Sequence, residues 1–106
     1  MSGITHLRSG ITTVATPGTP VKLEEEGVPA SPAVSVVIEA LETNEGKIVV
    51  GGKNVVAAGG THAAPTRKGI ALSAGGSISL DVNGIEAVWI DAVDAGDGVS
   101  WTVLAA

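Results

Sequence analysis

Short runs of β-branched residues, each cut off by glycine, proline or an Asn-Gly pair, set the terms for what this chain can fold into. Val, Ile and Thr account for 32 of its 106 residues, and such side chains fit a pleated, half-buried surface better than a helix. No segment repeats apolar residues at i, i+3, i+4 and i+7 over three turns, the spacing an amphipathic helix needs. Ile11–Ala15 is a strand candidate ended by Thr16-Pro17-Gly18, where Pro presets φ and Gly supplies a positive one. Val21–Leu23 alternates apolar and polar. The polar loop Glu24–Gly27 then runs into a stiff connection, Val28–Pro32, whose two prolines cannot donate to a ladder.

The strongest strand spans Ala33–Glu42. Val34, Val36, Ile38 and Ala40 share one face; Ser35, Val37, Glu39 and Leu41 share the other. Two partly apolar faces predict a central strand covered on both sides. Asn44-Glu45-Gly46 predicts a hairpin turn into Lys47–Val50. Val55–Ala58 lies between two glycine doublets, and Gly59–Lys68 reads as a loop. Gly69–Leu72 and Ser77–Val82 are strands joined by Ala74-Gly75-Gly76, and Asn83-Gly84 is a further turn. Ala87–Val93 and Val99–Leu104, joined across Asp94–Gly98, close the domain. The expected fold is all-β: a small antiparallel β-sandwich or barrel of about eight short strands. Residues 1–10 are short of large apolar side chains and are expected to form a flexible N-terminal arm that orders on a partner surface. Residues 11–106 are expected to form one β domain.

Charge narrows the function. Six basic residues face eleven acidic ones, a net −5, and no Lys or Arg follows Lys68 while Asp81, Glu86, Asp91, Asp94 and Asp97 do. Nucleic-acid binding needs a basic face, so nucleic acid is not an expected partner. With no cysteine there is no disulfide framework, thiolate nucleophile or thiolate metal site. Met1–His6 has no basic stretch leading into an apolar core, so it does not read as a signal peptide. Mean hydropathy is +0.40, yet no run of 18 apolar residues occurs, and a soluble domain without a membrane partner is expected.

His6 and His62 are the only histidines. Neither has the neighbouring hydroxyl or carboxylate pattern of nucleophilic catalysis, so no catalytic residue and no cofactor is expected. Asp91, Asp94 and Asp97, followed by Gly98, admit two readings: turn geometry, or a weak Ca²⁺ site. The acidic Glu24-Glu25-Glu26 and the basic Arg67-Lys68 lie in different loops, as solvated clusters or as complementary patches between copies. Trp101 shares parity with Val99 and Val103 and reads as core. Trp89, in phase with Ala87 and Asp91, reads as a second core layer or as an interface anchor.

The order of motifs carries a resemblance. Thr13–Leu23 is followed by Val36–Leu41, Thr43–Gly52, Gly69–Leu80, Val88–Ala92 and Gly96–Trp101. This succession resembles the small β-rich virion proteins of tailed bacteriophages, seen as capsid decoration (cement) proteins or as modules of neck, tail and fibre components. It covers residues 11–104. Members usually carry Pro where Ala74 stands, and often Tyr where the two Trp stand. The resemblance implies a structural protein on the capsid exterior, made in the host cytoplasm. Its implied partners are the major capsid protein and neighbouring copies, with a trimer as one form. Ile4, His6 and Leu7 of the arm, Arg67 and Lys68, and Trp89 are the candidate interface residues under it. The carbohydrate-binding alternative wants exposed aromatic platforms, and only Trp89 is on offer.

Overall fold

The computed structural model describes residues 6–23, 35–57, 67–82 and 84–105. Among the described residues eight strands form: β1 (His6–Thr13), β2 (Val21–Lys22), β3 (Ser35–Ala40), β4 (Ile48–Gly51), β5 (Ile70–Leu72), β6 (Ser77–Leu80), β7 (Trp89–Ala92) and β8 (Gly98–Ala105). A 3₁₀ turn, Ile85–Ala87, precedes β7. One sheet has the order β1-β8-β3-β6 and the other β2-β7-β4-β5, and every pairing is antiparallel. β1 pairs with β8, β2 with β7, β3 with β6 and β4 with β5, as if one long hairpin had been rolled up. That nesting over two sheets is the jelly-roll form of the β-sandwich. The all-β reading therefore holds, with two sheets facing each other.

Period-2 alternation decides which residues enter the core. In β3, Val36, Ile38 and Ala40 are fully buried while Val37 and Glu39 face out. Opposite them, β8 sends in Val99, Trp101 and Val103. β4 and β7 meet this layer with Ile48, Val50, Ile90 and Ala92. Trp101 is the one large ring in that core, and its Nε1 donates to Thr12 Oγ1 at 3.1 Å. The indole lies over Gly10, its register partner, where an added Cβ would sit 2.4 Å from Cζ2. Only glycine leaves room there.

Three expectations need correction. β3 is central but covered on one side only, because its outer face carries Glu39 and a 36% exposed Val37. The strands covered on both sides are β4 and β7: Val49 and Asp91 lie on the outer side of their sheet and are still buried. A second, smaller layer of Val49, Val55 and Ala57, joined by Ala71, Trp89 and Val93, seals that side. Asn44-Glu45-Gly46 makes no hairpin either, because β3 and β4 belong to different sheets. Both edges of β3 are already taken by β8 and β6, so the chain must turn a corner. Finally, the sheet begins at His6 and not at Ile11. Residues 6–10 of the expected arm lie in β1, where Gly10 accommodates Trp101 and Ser9 Oγ meets Thr102 Oγ1 at 3.1 Å.

Candidate functional site

The acidic residues that suggested a cation loop are the fasteners of this sandwich. Asp97 is buried, and its carboxylate accepts from the amides of Glu45 (3.0 Å to Oδ1) and Gly46 (2.9 Å to Oδ2). One residue on, the Asn44 side chain behaves like a strand backbone: Nδ2 donates to Gly98 O and Oδ1 accepts from Gly98 N, both at 2.9 Å. The crossing from β3 to β4 is thus stitched to the crossing from β7 to β8. The hydrogen-bonded turn is Leu41–Asn44, with Asn44 N donating to Leu41 O at 3.0 Å, and Asn44, Glu45 and Gly46 bond to the other corner instead.

Asp91 does the same work on the outer side of its sheet. Oδ1 accepts from Gly18 N and Ala92 N at 2.9 Å each, and Oδ2 accepts from Ala57 N at 3.0 Å. One carboxylate therefore ties the β1–β2 turn and the segment after β4 onto β7. Amide donors around a carboxylate make an anion receptor, the reverse of the oxygen cage a hard cation requires. Among the described residues no group of three His, Asp or Glu is placed to hold a metal. Turn and loop architecture accounts for Asp91 and Asp97.

The candidate interface residues do not gather at one place. Ile4 lies outside the described residues, as do His62, Glu24–Glu26, Val28–Pro32 and residues 59–66 of the Gly59–Lys68 loop. His6 opens β1 with its backbone opposite Ala105. Leu7, 69% exposed, stands on the outer face of the β1-β8-β3-β6 sheet. Lys68 is exposed on the opposite side of the sandwich, where its backbone bridges Val56 through bonds of 2.9 and 3.0 Å. Arg67 beside it is half-buried, with its Nε shielded and lacking a partner among the described residues. Trp89 is half-buried and packs on the Val49–Val55–Ala57 layer, the second-core position. Leu7 and Trp89 thus lie on the outer sides of different sheets, and a single flat partner cannot touch both.

Two surface features escaped the sequence reading. Ile11 is 68% exposed and lines up with Leu7, four residues earlier on the same face of β1. Ile70 and Val37 are the other large apolar side chains left open among the described residues. The signal for Ile11 was its shared parity with Leu7, masked by placing the two in different segments. Compared with protein-family models, with curated proteins and with solved structures, the chain matches none.

Proposed function

We propose that this chain is a structural protein of a phage virion, a capsid decoration (cement) protein that binds the outer capsid surface and stabilises capsomer contacts. The observation that carries the reading is the use made of the buried carboxylates. Asp91 and Asp97 are occupied by backbone amides that lock the loops of the sandwich together. They are committed to rigidity and not to acid–base chemistry. Together with the motif order over residues 11–104, this suits a passive part used in many copies. Under this reading no cofactor and no catalytic residue is needed. A filled head pushes outward on its shell, and a cement protein resists through modest contacts multiplied by symmetry. The major capsid protein and neighbouring copies are the partners; the exposed surfaces around Leu7 and around Lys68 offer two separate contact sides.

Deleting residues 2–10 is not a clean test, since it removes five residues of β1 together with the Gly10 seat of Trp101. The cleaner experiment adds purified full-length chain to virions that lack it and reads co-sedimentation and position by cryo-electron microscopy. Density over the capsid exterior in hundreds of copies is the expected outcome. Density confined to the neck or tail, in about a dozen copies as symmetry there allows, would favour a neck or tail module. No binding to the particle overturns the virion reading altogether.

A further inference from the structure

The geometry points to the outer edge of β1 as a pairing site for β1 of a second copy, antiparallel, with Ser9 opposite Ser9. Alternate backbone groups of β1 aim away from β8. The register of β1 on β8 runs unbroken from His6↔Ala105 to Thr13↔Gly98. Just beyond it, Val14 N donates to Asp97 O and Val14 O accepts from Gly96 N, so the backbone groups of Val14 face β8. Alternation then turns those of Thr12, Gly10 and Arg8 the same way. Leu7, Ser9, Ile11 and Thr13 aim theirs away from β8. The Ser9–Thr102 hydroxyl contact at 3.1 Å agrees, because side chains approach closest at the non-hydrogen-bonded positions of an antiparallel pair. Among the described residues no strand pairs with this outer edge.

The other sheet edges differ from this one. β2 is two residues long and follows Pro20, β5 is three residues long after Gly69, and β6 is four residues long and runs into Asp81. Short length, proline and charge are the usual protections against strand addition. β1 is eight residues long and has no proline or carboxylate; Arg8 is its one full charge.

The side chains along this edge fit a second copy of the same strand. Leu7 and Ile11 expose over two-thirds of their surface and stand symmetrically about Ser9. In the register with Ser9 opposite Ser9, Leu7 of each copy lies opposite Ile11 of the other. The residues that carry these apolar groups are the same ones whose backbone bonds point outward. An isologous contact demands this self-complementarity; a foreign strand does not. Charge agrees: the chain is net −5, yet neither β1 nor β8 beside it contains a carboxylate, so no acidic groups of these strands meet in the seam. Arg8 falls opposite Gly10 in this register, not opposite itself. The inference does not depend on the capsid reading and is tested on the free protein.

The test is sedimentation of the full-length chain over a micromolar-to-millimolar series. Wild type is expected to shift from 10.4 kDa to twice that mass. Ser9→Pro removes an outward N–H without removing a bond to β8, and Ile11→Lys places a charge in the seam. Each is expected to weaken the dimer by about tenfold or more, a change of about 1.4 kcal/mol, with an unaltered far-UV circular dichroism spectrum. Should Ser9→Pro fail to fold, Ile11→Lys decides alone. The chain holds no cysteine, so Ser9→Cys treated with a short bis-maleimide should give a covalent dimer, and Ser77→Cys on β6 should not. A wild type that stays monomeric throughout, assembles as a trimer, or dimerises as tightly after Ile11→Lys overturns the proposal.

Discussion

Replacing Asp91 by Ala tests whether one buried carboxylate holds two loops onto the sandwich. Three amides lose their acceptor: Gly18, Ala57 and Ala92. Gly18 is exposed, so water takes over there at little cost. The bonds to Ala57 and Ala92 are buried, and a buried donor left without its acceptor costs about 1–3 kcal/mol. Removing the buried charge itself returns part of this, and the net expectation is a loss of about 3 kcal/mol. For a domain stable by about 5–15 kcal/mol that is a large fraction. It corresponds to a fall in Tm of about 12–24 °C at this chain length. Asp91→Asn keeps Oδ1 for Gly18 and Ala92 but turns an NH₂ toward Ala57 N, and should cost about half as much. The assay is urea unfolding followed by far-UV circular dichroism and tryptophan fluorescence. Trp89 reports the outer layer and Trp101 the inner core. An Asp91→Ala variant within about 0.5 kcal/mol of wild type, the range of ordinary surface changes, refutes the fastening role.

Gly10→Ala should destabilise by about 1–3 kcal/mol, because the new Cβ meets the Trp101 ring and the core has to repack; near-UV circular dichroism should show the indole displaced. Gly69 and Gly96 both have positive φ, but a Cβ at Gly69 lies 2.7 Å from Val49 Cγ1 and Val50 O while Gly96 has open space. Gly69→Ala should therefore cost about 3 kcal/mol, against about 1 for Gly96→Ala, measured by denaturant titration. Millimolar Ca²⁺ should leave Tm unchanged, since amides occupy the Asp91 and Asp97 carboxylates; a saturable rise would reinstate the cation site.

How far the sequence carries can be seen residue by residue. The parity of Val36, Ile38 and Ala40, and of Val99, Trp101 and Val103, is a local property, and each set is buried together. The all-β class and the position of Trp101 follow from it, because a strand alternates its side chains whatever it pairs with. Partner choice is not local. Asn44-Glu45-Gly46 has the composition of a hairpin turn, but β3 already pairs on both edges with strands from later in the chain. Asp91 and Asp97 spaced by six residues look alike in sequence. Only the rolled-up topology brings Gly18 and Ala57 to one, and Glu45 and Gly46 to the other. The same holds for Leu7 and Ile11, whose shared face was legible. Their standing at an outer edge was settled by β1 pairing with the last strand, β8, across most of the chain. Alternation is written into a few neighbouring residues; pairing depends on which distant strand has an edge left to offer.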